Sequence, residues 1–217
     1  MAESNTQTEA GLVALLNDLL QLDHDAVGAY TVAIERVQRE DYRQDLIRFR
    51  GDHQRHIADL TRLVRAHGGT PMEMPHLPSG AFKLAVQAAG SAGGDRALLL
   101  AFKSNEGQVR DKYGRAADGP HPPDVAEVLS RNAADEEKHY RWVSEAVDSM
   151  GAGPDTRAGR AEAAFESAHG RMADAMETGE RKLMQGASAV RRSTGESPLL
   201  PILLGLGILL VLRRILR

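Results

Sequence analysis

One pattern occurs twice in this chain at a constant offset of 83 residues, and both copies have helical spacing. Asp23 corresponds to Glu106, Tyr30 to Tyr113, Asp52 to Asp135, His53 to Glu136 and His56 to His139. The apolar positions follow the same rule. Leu15, Leu16 and Leu19 fall on Leu98, Leu99 and Phe102, Leu46 on Leu129, Val64 on Val147, and Gly68 on Gly151. A repeat that runs through both helices of each copy without a gap reads as two related halves packed about a pseudo-two-fold axis.

Each half predicts a helical hairpin. Apolar residues recur at three and four from Leu12 through Leu22, Ala26, Tyr30 and Ala33 to Val37, so a first helix is expected over about 8–38. A second, over about 42–67, carries Leu46, Phe49, His53, His56, Leu60 and Val64 and ends at Gly68-Gly69. The third is expected over about 95–117 and the fourth over about 123–150, with Pro123 suited to its first turn. The links near 39–41 and 119–123 are short, which implies antiparallel pairs. Between the hairpins, 70–79 holds three prolines and reads as an irregular crossover, with a short helix expected at 80–89. The sum is an all-α, antiparallel four-helix bundle over residues 1–150. Aromatic residues make up only 4% of the chain, which argues against a β-sandwich.

Polar residues interrupt the apolar stripes. Asp23 lies four residues after Leu19 and Glu106 four after Phe102, while His53, His56, Glu136 and His139 occupy inward positions of the second and fourth helices. Counting from each turn brings all six to one level, a slab about one helical turn or 5.4 Å thick. Charged groups in a bundle core are costly unless paired or bound to a metal. Carboxylates and imidazoles converging there suit a divalent transition metal, iron first, with manganese or zinc as alternatives. The competing reading is a buried salt-bridge network with Arg or Lys. Asp25 is the rival of Asp23. Asp52 and Asp135 sit one step off the stripe and read as solvated charges, with orientation of a histidine as the alternative. His24, His67, His76, His121 and His169 read as surface residues, and Tyr30 and Tyr113 as core packing with a buried hydroxyl partner.

Over about residues 9–150 these motifs resemble the ferritin-like superfamily, which places a carboxylate on the first and third helices and E-x-x-H on the second and fourth. Glu136-Glu137-Lys138-His139 fits the motif, Glu106 and Asp23 supply the single carboxylates, and His56 fits the second helix. His53 stands where a glutamate is expected, and Asp23 is one methylene shorter than Glu. Tyr30 resembles the tyrosine that accompanies the site in ferritins and rubrerythrins. The resemblance is to small bacterial ferritin-like domains rather than to cage-forming ferritins. It implies metal ligation by Asp23, His53, His56, Glu106, Glu136 and His139. It also implies a ferroxidase or peroxidase-like reaction, namely iron oxidation or peroxide consumption. The alternative is a non-enzymatic structural or stress-related module with a vestigial site.

With no cysteine, thiolate metal sites and cysteine nucleophiles are excluded. A net charge of −3, scattered arginines and no phosphate-binding loop disfavour a nucleic-acid partner. Residues 151–197 read as a linker followed by an amphipathic stalk helix, near 161–191, that suits a homo-oligomer or a membrane surface. Residues 198–217 begin with an uncharged run, PLLPILLGLGILLVL, and end on Arg213, Arg214 and Arg217. That run spans about 22 Å against the roughly 30 Å hydrocarbon core, a gap that snorkelling arginines narrow. It reads as a hydrophobic, membrane-seeking C-terminal helix with the bundle facing the cytoplasm. An intermolecular helix or a docking peptide for a larger assembly are the alternatives.

Overall fold

In a computed structural model of the chain, the described residues are 2–75, 94–152 and scattered positions between 156 and 182. Four helices dominate them: α1 (Ala2–Arg36), α2 (Glu40–Ala66), α3 (Gly94–Ala117) and α4 (Pro123–Val147). No strand occurs among the described residues. Helix α1 begins earlier than its apolar stripe. Helix α4 ends earlier than expected, because its last turn widens into a π-helical turn over Asp148–Ala152. The helix expected at 80–89 and the hydrophobic segment 198–217 lie outside the described residues, as do 76–79 of the crossover, whose residues 70–75 are irregular as expected. The described positions between 159 and 182, in the stalk region, are helical. No helix among the described residues is long and apolar enough to cross a membrane. The chain divides into two compact units, Met1–Asp174 and Ala175–Arg217, and the four helices lie wholly in the first.

The four helices form an antiparallel bundle in which α1 packs on α2 and α3, and α4 packs on α3 and α2. Its upper end is the three-residue turn between α1 and α2. There the Asp95 carboxylate, at the start of α3, accepts hydrogen bonds from the backbone N–H of Gln38 at 2.7 Å and of Arg39 at 3.0 Å. The first turn of any helix has N–H groups without partners. The N-cap residue of α2, Arg39, offers no capping side chain, so a residue of another helix serves the turn instead. This contact also fixes α3 as running down from the end where α1 arrives. At the lower end α2 stops in a Schellman motif. Gly68 adopts φ 74°, its N–H bonds to the Arg65 carbonyl, and the Gly69 N–H bonds to the Val64 carbonyl. Gly151, the repeat partner of Gly68, has φ 87° at the end of α4. A side chain at Gly69 would meet Val13 Cγ1 at 2.5 Å, so glycine there also lets α1 close onto the end of α2.

The apolar core is split in two. An upper cluster includes Ala26, Tyr30, Ala33, Tyr42, Leu46, Leu99, Phe102, Val143 and Val147. A lower cluster includes Leu16, Leu19, Leu60, Val64, Val109, Tyr113, Ala116, Val125 and Leu129. The offset of 83 exchanges them: Ala26, Tyr30, Ala33, Tyr42 and Leu46 map onto Val109, Tyr113, Ala116, Val125 and Leu129, and Leu16, Leu19, Leu60 and Val64 map onto Leu99, Phe102, Val143 and Val147. The pseudo-two-fold axis therefore crosses the bundle between the clusters, at the level of the polar slab. Removing the cap at the upper turn by Asp95→Ala is expected to cost about 1 kcal/mol, read as a lower urea midpoint at unchanged m-value.

Candidate metal centre

All six inward polar residues are in the slab and none is more than 1% exposed: Asp23 on α1, His53 and His56 on α2, Glu106 on α3, and Glu136 and His139 on α4. They form two groups that share His53 and Glu136. Donor atoms of Asp23, His53, His56 and Glu136 lie within 4.8 Å of one another, as do those of His53, Glu106, Glu136 and His139. Helix spacing explains the convergence, since residues three apart on α2 and on α4 share a face. Between Asp23 and Asp25 the structure selects Asp23. Asp25 is also buried, but it lines a small cleft beside Glu106 with Leu22, Ala26, Ala29, Asn105 and Val109.

The inner nitrogens of His56 and His139 face the carboxylates. His56 Nδ1 is 3.3 Å from Glu136 Oε1 and 3.4 Å from Asp23 Oδ1. His139 Nδ1 is 3.5 Å from Glu136 Oε2 and 3.9 Å from Glu106 Oε2. His53 Nδ1 lies 2.8 Å from Asp23 Oδ1 and 3.5 Å from Glu136 Oε1.

The outer nitrogens correct one expectation. Asp52 and Asp135 are not simply solvated charges. His139 Nε2 meets Asp52 Oδ2 at 3.1 Å, and His56 Nε2 meets Asp135 Oδ2 at 3.4 Å. Each aspartate serves the histidine of the other hairpin. Arg55 holds both, at 2.7 Å from Asp52 and 2.6 Å from Asp135. A partner on Nε2 fixes the ring orientation and leaves Nδ1 aimed inward. The signal was present in the sequence: the two acids are repeat partners. Their angular position alone hid the role, because they reach around the helix edge.

The tyrosines obey the same reciprocity. Tyr113 on α3 donates to Asp23 Oδ2 on α1 at 2.5 Å. Tyr30 on α1 lies toward Glu106 on α3 without closing a hydrogen bond, and packs edge-on against Phe102 at 4.6 Å. Burial, with Asp23 beside Tyr113 and Glu106 beside Tyr30, holds both phenols protonated far above their usual range. Two further expectations need correction. His67 is half-buried and bridges Glu9 at 3.2 Å and Asp124 at 3.4 Å, and His121 meets the Ala116 carbonyl at 2.6 Å, so neither is a free surface residue.

The donor set fits a metal by a direct test. Glu106 Oε2, both oxygens of Glu136, His139 Nδ1 and His53 Nε2 are buried without a hydrogen-bond partner. Unsatisfied buried acceptors of this kind are rare and call for an explanation. Among the described residues no Lys or Arg pairs with Asp23, Glu106 or Glu136, so a salt-bridge network with Arg or Lys is not what the slab contains.

Without a metal, protons take up the charge. Burial opposes a charge on His56, but Asp23 and Glu136 outweigh it and raise its pKa to about 10. For His139, burial is likewise outweighed by Asp52 and Glu136, and the pKa rises to about 9. Burial and the neighbouring Glu136 lift Glu106 to about 7. Burial acts upward on Glu136 as well, yet His53, His139 and His56 hold it well below the usual carboxylate range. The sign for stability follows. Histidines raised on folding stabilise fully below their unfolded pKa of about 6.5 and lose that contribution as pH rises through the folded values. The metal-free protein should therefore melt at progressively lower temperature between about pH 7 and pH 10. Circular dichroism melts in chelator would show this alkaline limb, and it should shrink in His56→Gln.

No curated protein and no solved structure matches the chain. Residues 12–119, which carry Asp23, Tyr30, His53, His56 and Glu106, are similar to the family described as "Domain of unknown function (DUF2383)".

Proposed function

We propose that this protein is a ferritin-like metal-binding protein whose bundle centre holds divalent transition-metal ions. The observation that carries this reading is the convergence of unpartnered, fully buried carboxylate oxygens and imidazole nitrogens, with no Lys or Arg among the described residues paired to these carboxylates. Asp23, His53, His56, Glu106, Glu136 and His139 are the proposed ligands. Oxygen and nitrogen donors without sulfur suit iron, manganese or zinc, and iron is the first choice. A redox metal bound there supplies one-electron chemistry toward oxygen or peroxide, which makes iron oxidation or peroxide consumption the proposed reaction.

The chain's own groups have separable tasks in this reading. Glu136 directs one oxygen toward His56 and the other toward His139, so a single carboxylate serves both groups. Asp52 and Asp135 keep the two Nδ1 lone pairs turned inward. Tyr113 holds Asp23 through a protonated hydroxyl. The two apolar clusters above and below keep bulk water from the slab. Imidazoles must shed their protons to bind, so affinity falls in acid.

Metal analysis and calorimetric titration of untagged protein test this proposal. We expect tight binding with release of protons at pH 7, from His56 and His139 and in part from His53 and Glu106, and a higher melting temperature on loading. Glu136→Gln should abolish most of that gain. A protein that takes up only traces of metal, and melts unchanged in chelator, is instead the non-enzymatic helical module.

For residues 198–217 we propose membrane association, with the bundle facing the cytoplasm. Deleting 197–217 should move the protein from the membrane to the soluble fraction of a cell lysate. A full-length protein already in the soluble fraction overturns this.

A further inference from the structure

The two donor groups are unequal, and the inequality has one source. In the first group four atoms form a closed ring: Asp23 Oδ1 to His53 Nδ1 is 2.8 Å, His53 Nδ1 to Glu136 Oε1 is 3.5 Å, Glu136 Oε1 to His56 Nδ1 is 3.3 Å, and His56 Nδ1 to Asp23 Oδ1 is 3.4 Å. One donor atom from each of the four residues lies within 4.8 Å of the other three. A tetrahedral ion with bonds of about 2.0–2.1 Å separates its ligands by about 3.3–3.4 Å. Two of the four measured edges are at that spacing and a third, at 3.5 Å, is close to it, before any ion is present. The set is two imidazoles and two carboxylates, one from α1, two from α2 and one from α4.

In the second group the His139 Nδ1 edges are 3.5 Å to Glu136 Oε2, equal to the longest edge of the first group, and 3.9 Å to Glu106 Oε2. Its fourth member is again His53. A neutral imidazole has one lone pair. His53 turns Nδ1 toward Asp23 and Glu136 Oε1 while its Nε2 is buried without a partner, so its one lone pair can serve the first group through Nδ1 or the second through Nε2 but not both, and lending it to the first leaves the second with Glu106, Glu136 and His139 alone. A carboxylate at position 53 would have offered an oxygen to each side, as Glu136 does.

Resting on the metal-binding reading above, we propose that His53 divides the centre into a closed site and an open one. The closed site (Asp23, His53, His56, Glu136) takes a four-coordinate divalent ion and fills first. The open site (Glu106, Glu136, His139) binds a second ion more weakly and leaves a coordination position for a small exogenous ligand such as water, peroxide or an anion. Sites closed by four protein ligands are structural, whereas three-ligand sites with a free position admit substrate. The exchangeable chemistry belongs to the α3–α4 side.

Titration of metal-free, full-length protein with Co(II) reads both sites, because tetrahedral Co(II) absorbs strongly in the visible and higher-coordinate Co(II) weakly. We expect a first equivalent with intense bands and a second, bound at least tenfold more weakly, with faint ones. Azide should perturb only the second. Glu106→Gln should remove the second step and leave the first spectrum unchanged. His53→Ala should weaken the first step at least tenfold and erase its intense bands, and His53→Glu should give two steps of similar affinity with faint bands. Two equivalent steps in the wild type, or azide acting on the first equivalent, overturn the division while leaving metal binding intact. No uptake of Co(II) at all overturns the metal-binding reading itself.

Discussion

Three carboxylates and three imidazoles occupy the middle of the bundle, with the two apolar clusters above and below them. Removing charged groups from water costs several kcal/mol each unless something inside replaces the solvent. In the metal-free chain the replacement is internal. Protons settle on His56 and His139, while Glu136 stays ionised among three histidines and Glu106 is shifted toward neutrality. This compromise is incomplete, because both oxygens of Glu136 and one of Glu106 still lack a hydrogen-bond donor. The unpaid remainder is what a divalent cation would relieve. Binding free energy at such a site is also folding free energy, since the unfolded chain has no equivalent arrangement.

Neither hairpin can build the slab alone. The histidine of α2 is oriented by an aspartate of α4, and the histidine of α4 by an aspartate of α2. The carboxylate of α1 is held by a tyrosine of α3. Arg55 then ties Asp52 to Asp135 across the seam between the hairpins. Each of these contacts therefore joins the two hairpins, and none is available until the halves have docked. That makes the site a reporter of correct assembly. The two reciprocal acid–imidazole pairs are identical in both copies, Asp52 with Asp135 and His56 with His139: an apolar contact tolerates changes of size, whereas a reciprocal contact of this kind fails unless both copies keep it.

Periodicity and the repeat together were enough to read the four helices, the order of the hairpins and all six inward polar residues. This worked because a bundle helix has one buried face, so a charged residue on that face is conspicuous. Residues at the margin of the face were harder. Asp52 and Asp135 each lie next to a stripe residue, and only the approach of α2 to α4 converts that position from solvent into contact. Asp25 is buried although the wheel turns it away from Asp23, because the α1–α3 side has a covered cleft that helical spacing does not encode. His67 looked exposed since its partners, Glu9 and Asp124, come from different helices at the lower end of the bundle. In each case the missing information was the angle at which one helix presents its edge to another.

Position 53 is where symmetry of shape and symmetry of chemistry part. Its repeat partner is Glu136, and the two side chains occupy equivalent depths on α2 and α4. A glutamate carries a charge and two equivalent oxygens. A histidine of similar reach carries no charge when neutral and one usable lone pair. The imidazole of His53 meets the rings of Tyr30 at 5.1 Å and His139 at 5.3 Å, both tilted to it. What changes is the donor count on each side and the total negative charge of the slab. Two related halves thus offer different donors at this one depth of the bundle.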